Sequence, residues 1–171
     1  MQKSLLQLDI LMKDTTLFDA INTGLIVLNQ KGEVVIWNKW MSQYSFIDSV
    51  NALNQPVSML FPDMNKRLRL AISDALSISL SSIISARLNQ SGLPLYKNVE
   101  SFQLDKRVLQ SLTVSPIQMQ NQHWCLLQIK DASQRDRHEI ALKRSALEIK
   151  TMVYKSKEQE YQLQTILNNT L

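Results

Sequence analysis

The sequence predicts an α+β fold: a five-stranded antiparallel sheet flanked by helices, with a short helix before it and a long helix after it. Three observations lead there. Residues 24–40, GLIVLNQKGEVVIWNKW, set two apolar runs around a short polar loop, the pattern of a hairpin. Leu68, Ile72, Leu76, Leu80, Ile83, Ile84 and Leu88 recur at helical spacing between Asn65 and Leu88. From Asp131 to Leu171 no proline or glycine interrupts the chain, which reads as one long helix.

The elements follow in order. Residues 4–13, SLLQLDILMK, form an amphipathic helix with Leu5, Leu8 and Met12 on one stripe. Asp14 or Thr15 caps the next helix, LFDAIN, and Gly24 stands where a helix stops. LIVLN and EVVIW are strands with an apolar residue at nearly every position, so both faces of the sheet are expected to be covered there. Gly32 supplies the positive φ that a short bulged hairpin needs. Asn38 is a good N-cap for the helix NKWMSQYSF, and a helical turn follows in SVNAL. Pro56 and Pro62 punctuate the next segment. The helix from Asn65 carries a serine-rich stretch, SISLSS, that can divide it in two. NQSGLPLYKN is a loop. FQLDKRVLQSLTVSPI and HWCLLQIKDAS are strands joined through QMQNQ, and a fifth strand is expected around LPLY or VESFQL.

In the last helix Leu142, Ile149 and Leu163 lie on a seven-residue row, with Ala146, Val153 and Leu167 four residues along. That is coiled-coil spacing, interrupted at Ser156 and Glu160. Ile140, Leu147, Tyr154 and Tyr161 form a second row.

Composition excludes several functions. The chain has 171 residues, 44% hydrophobic and 20% charged, enough to build a core. The net charge of +4 is spread along helices among acids, so no nucleic-acid surface is expected. A lone cysteine, Cys125, rules out an intrachain disulfide and fits a reducing, cytoplasmic setting. No apolar run approaches the ~18 residues of a membrane span. No phosphate loop, nucleophile elbow or metal-spaced His pair is present. Cys125 falls in a late strand and reads as a buried, inert thiol. His123 reads as an exposed hairpin-end residue and His138 as a solvated helix residue.

The LIVLN-QKG-EVVIWN hairpin, Asn38 opening a small helix, NQPVSMLFPD leading into a longer one, and LTVSPIQMQNQHWCLLQIKDAS ending in Asp131-Ala132-Ser133 together resemble a Per-Arnt-Sim (PAS) sensory-box domain. The resemblance covers about residues 15–135. Gln55 departs from it, standing where many members have glycine. The tail YQLQTILNNTL is similar to the opening helix of a further domain.

The resemblance implies an N-terminal helix at 1–14, a PAS domain at 15–133, a signalling helix at 134–165 and the start of a truncated domain at 166–171. It implies a non-catalytic sensory or dimerisation module of a bacterial signalling protein, relaying ligand or partner binding through the C-terminal helix. A GGDEF diguanylate cyclase is the favoured output domain of the same chain, with a histidine kinase or a ligand-free scaffold as the alternatives. No cofactor is expected, and haem and flavin are disfavoured; any ligand would be small and apolar. Trp37, Asn38, Tyr44, Met59, Phe61, Ile72 and Leu112 are the candidate pocket, with Asn38 and Ser115 as its polar anchors. Leu5, Leu8, Met12, Leu142, Ile149 and Val153 are the candidate contacts of a homodimer.

Overall fold

The computed structural model of the chain describes residues 16–86, 92–119 and 122–168. It divides into two compact units, Met1–Ala132 and Ser133–Leu171. Leu5, Leu8 and Met12 lie outside the described residues, as does the N-terminal helix to which they were assigned.

The first unit opens with a single helical turn, α1 (Thr16–Asp19). β1 (Gly24–Leu28) and β2 (Val34–Trp37) follow, paired antiparallel with a register shift between Val27 and Leu28. The Asn29 side chain makes the turn. Its Oδ1 accepts from the backbone N–H of Lys31 at 2.9 Å and of Glu33 at 3.0 Å, while Gly32 takes φ +76°. Every residue of β1 is buried, as its unbroken apolar run predicts.

Three short helices come next: α2 (Lys39–Ser45), α3 (Ser49–Ala52) and α4 (Val57–Leu60). Asn54 holds the left-handed conformation at φ 60°, so the neighbouring Gln55 needs no glycine there. α5 (Lys66–Ile78) is capped by Asn65, whose side chain accepts from Leu68 N–H at 2.8 Å. Leu68, Ala71, Ile72 and Ala75 are its buried face.

Here the structure corrects the helical reading at Leu80, Ile83 and Ile84; Leu88 lies outside the described residues. α5 stops at Ser79, which turns left-handed at φ 55°. The chain then reverses into β3 (Ser82–Ile84). The β-branched pair Ile83-Ile84 suits an extended edge, and the serines beside it compete for backbone hydrogen bonds that a helix would need. This is the fifth strand, and it lies neither in LPLY nor in VESFQL. VESFQ is a helix, α6 (Val99–Gln103), because Asn98 Oδ1 accepts from the Ser101 N–H and hydroxyl at 2.8 and 2.7 Å. That local cap outweighs the strand propensity of Val99 and Phe102.

β4 (Gln110–Met119) and β5 (Gln122–Asp131) are the long hairpin. It begins later than Phe102 and extends into QMQNQ: Gln118 pairs with His123 and Met119 with Gln122. The sheet order is β2-β1-β5-β4-β3, all neighbours antiparallel. Leu112, Val114, Cys125, Leu127 and Ile129 alternate onto the inner face and join Ile26, Leu28, Trp37, Phe61, Leu68 and Ile72 in one core. The second unit is a single helix, α7 (Ser133–Asn168).

Candidate functional site

The interior bounded by β1, β2, α2 and α5 is where a pocket is expected. It is built around Asn38, which ends β2 and starts α2. The residue is fully buried, and its amide is saturated. Oδ1 accepts from Leu25 N–H at 3.0 Å and from Met41 N–H at 3.2 Å. Nδ2 donates to the carbonyls of Phe18 at 3.0 Å and Thr23 at 2.8 Å. One side chain thus ties α1, the loop after it, β1 and the first turn of α2 together. Both amide hydrogens and both oxygen lone pairs are spent on backbone. Asp19 adds a second cap, accepting from Lys39 N–H at 2.6 Å.

Gly24 faces the same junction, but not as a helix stop. It is the first residue of β1, and a Cβ there would lie 2.6 Å from both Met41 Sδ and the Trp40 ring. Trp40 in turn stacks on Tyr44, ring centroids 3.9 Å apart and planes at 9°. Trp37 stacks on Phe61 at 6.0 Å and donates from Nε1 to the Ile47 carbonyl at 3.2 Å.

Of the candidate pocket residues, Trp37, Phe61, Ile72 and Leu112 meet in the core, and Tyr44 packs against its margin. Met59 does not join them: it is 71% exposed. In the four-residue α4 only Val57 is buried, and Leu60 packs on the core margin, so Met59 projects to solvent. Ser115 is also placed elsewhere. It alternates with the buried Leu112 and Val114 and so belongs to the outer face of the sheet.

Residues unnoticed in the sequence close the far end. Leu93 and Leu95 are fully buried although they sit in irregular chain. The Gln110 side chain holds them: its Nε2 donates to the Leu93 carbonyl at 2.6 Å and its Oε1 accepts from Leu93 N–H at 3.0 Å. Val108 N–H bonds to the Leu95 carbonyl at 2.9 Å, and Tyr96 N–H to the Tyr44 carbonyl at 2.7 Å. Gln110 has the parity of Leu112 and Val114, so strand alternation alone places a polar side chain in the core.

Tyr96 Oη donates to Asp105 Oδ1 at 2.6 Å, and Arg107 Nε reaches the same oxygen at 3.1 Å. Burial pushes the Tyr96 hydroxyl above its ordinary pKa, and the bond to Asp105 adds to this. The same bond, and that from Arg107, hold Asp105 below the usual carboxylate range. Cys125 is buried, and burial pushes its thiol up to about 12. His123 is the second residue of β5, half-buried, with Nδ1 3.0 Å from Ser79 Oγ. His138 lies in α7, its side chain outside the described residues. Among the described residues no cluster of His, Cys, Asp and Glu could hold a metal ion, and no helix is long and apolar enough to cross a membrane.

Two grooves of the described surface bear on the candidate site and the sheet edge. One of about 270 Å³ lies along Asp19, Ile36, Lys39 and Leu53. A larger one of about 630 Å³ runs between α5 and β3. Trp37 lines the smaller one, and neither is lined by Phe61, Ile72 or Leu112.

No family model and no curated protein matches the sequence. Solved structures do match. A sensory box sensor histidine kinase from Vibrio cholerae is 20% identical, with a TM-score of 0.51 over 77% of this chain and 97% of that one. The chain has the PAS fold. A second PAS domain, of an HTR-like protein from Haloarcula marismortui, is 8% identical with a TM-score of 0.50, covering 76% of this chain and 98% of that one. At such identities the shared property is the PAS architecture.

Proposed function

We propose that the chain is a non-catalytic PAS input module. It associates as a homodimer through α7 and the N-terminal segment, and it relays a change in packing to an output domain through α7. One observation carries this reading. α7 follows directly on β5 and exposes Leu142, Ile149 and Val153, 70%, 62% and 50% accessible, on a seven-residue pattern. A solvated helix that displays such a row gains stability by pairing with a second one. The mechanism is a shift between two packings of the paired helices. The output domain is a histidine kinase or a diguanylate cyclase. The neighbour from Vibrio cholerae, a sensor histidine kinase, supports the kinase over the GGDEF domain expected from the sequence.

The saturation of Asn38 supports a second reading, that of a scaffold that senses through partners rather than through a small molecule. With no free hydrogen-bonding capacity, that amide cannot anchor a ligand without giving up a backbone partner. Only apolar contact remains for one.

Replacing Leu142 and Ile149 by Asn in the full chain tests the dimer. Sedimentation should show the wild type associating through α7 and the variant shifted to monomer, with unchanged tryptophan fluorescence. Association unaffected by both substitutions sinks the relay. Native mass spectrometry of the purified protein separates the two readings: a retained small-molecule mass favours the ligand sensor.

A further inference from the structure

The sheet ends in an open edge. β3 bonds to β4 alone, and among the described residues its other row of backbone donors and acceptors has no partner. Beside it runs one stripe of α5, on which Lys66, Arg67, Leu70 and Asp74 recur at helical spacing and form the wall of the 630 Å³ groove. Leu70 is 52% exposed on the α5 side, and Ile83, which pairs with Thr113 and so faces the outer side of the sheet, is 78% exposed. A bare strand edge beside exposed apolar side chains is a template for another strand.

The charges say which strand. α5 turns directly into β3, so the Asp74 end of the groove lies near Ser82 and the Lys66–Arg67 end near Ile84. A two-fold axis through Ile83, normal to the sheet, would set two β3 edges antiparallel and exchange those ends. Lys66 and Arg67 of each copy would then face Asp74 of the other. The same axis brings Ile83 against its own copy and covers Leu70 on both sides. The groove is therefore self-complementary in charge as well as in backbone pairing, which is what an isologous contact requires.

We propose that β3 is a self-pairing edge: a second copy of this chain adds across it, joining two five-stranded sheets into one. The charges at the rim select the partner and its direction, and the strand and apolar contacts hold it. This interface uses no residue of α7, so it is tested apart from the α7 pairing.

Ile83→Cys in the full chain reads the contact directly. Paired antiparallel residues stand about 4.5–5.5 Å apart at Cα, within disulfide reach. The native thiol, Cys125, is buried and does not compete. Two further variants carry the same cysteine, one with Lys66→Glu and Arg67→Glu, the other with Asp74→Lys. Each alone sets like charges against like across the axis. Mixed, they restore opposite charges at both ends.

The expected result on mild oxidation is a disulfide-linked dimer of Ile83→Cys protein, several-fold less for either charge variant alone, and recovery on mixing. The exposed Phe102→Cys should not link. Circular dichroism checks that each variant is folded, and the mixture supplies its own positive control. Equal cross-linking of all proteins, or no recovery on mixing, overturns the proposal. Loss of association by the α7 variants leaves the Ile83 cross-link in place, so the two interfaces fail separately.

Discussion

Two residues at the start of β1 and α2 carry much of the fold's geometry. Gly24→Ala forces a methyl group to within 2.6 Å of the Trp40 ring and Met41 Sδ. The Met41 thioether can swing aside, but Trp40 is locked between that contact and Tyr44. Overpacking of this kind costs about 1–3 kcal/mol, and urea unfolding should show a lowered midpoint with an unchanged slope. Asn38→Asp keeps the shape but removes both donors. An ionised Asp would press a carboxylate against the carbonyls of Phe18 and Thr23. Its folded-state pKa is thereby raised above the unfolded value of ~3.9. A raised pKa means that stability is retained below the unfolded value and lost as pH rises. The variant should therefore lie closest to the wild type near pH 4 and fall away toward neutrality, by roughly 3 kcal/mol at pH 7. A constant difference across that range would contradict this account of Asn38.

At the scale of elements, Gln110 does for the 92–96 segment what a neighbouring strand would do. Its amide pairs with both backbone groups of Leu93 and holds Leu93 and Leu95 in the core. Gln110→Leu leaves the Leu93 N–H unpaired, at about 1–3 kcal/mol, while the Leu93 carbonyl keeps its bond from the Leu95 N–H at 2.8 Å. Hydrogen exchange should then show residues 92–96 opening well before β4 and β5; unchanged protection there would mean that the amide is dispensable. Much of this architecture could be read from the sequence. Gly32, Asn38, the β4–β5 hairpin and α7 follow from turn, cap and period chemistry that acts over a few residues. The misread elements are those where a distant contact or an overlooked cap decides. Ile83 and Ile84 continue the helical period of α5 as well as they suit a strand, and pairing with Thr113 and Leu112 settles it. Val99 and Phe102 look extended until Asn98 is recognised as a cap. The resemblance to PAS domains puts Met59 in the pocket, whereas α4 is a single turn with one buried face. The saturation of Asn38 could not be foreseen, because three of its four partners lie 13 to 20 residues away in sequence and only the cap to Met41 is local.

The whole molecule combines two kinds of stability. Residues 16–132 bury a single hydrophobic core, whose unfolding is cooperative. α7 is a 36-residue helix whose described side chains from Ala141 to Lys157 are exposed. Helix propensity alone leaves such an element marginal, and the proposed dimer would stabilise it by pairing it with a second helix. The three tryptophans, Trp37, Trp40 and Trp124, all lie in the first unit and report only its unfolding. Far-ultraviolet circular dichroism reports both units. On heating, the circular dichroism should begin to fall before tryptophan fluorescence changes. The early phase should move to higher temperature as protein concentration rises, because in the proposed dimer it contains the dissociation of paired α7 helices. The fluorescence transition should move much less, because the core is complete within one chain. Asn substitution at Leu142 and Ile149 should abolish the concentration dependence of the early phase while leaving the later one in place. Coincident transitions in the wild type, at every concentration, would show instead that α7 melts as part of the core.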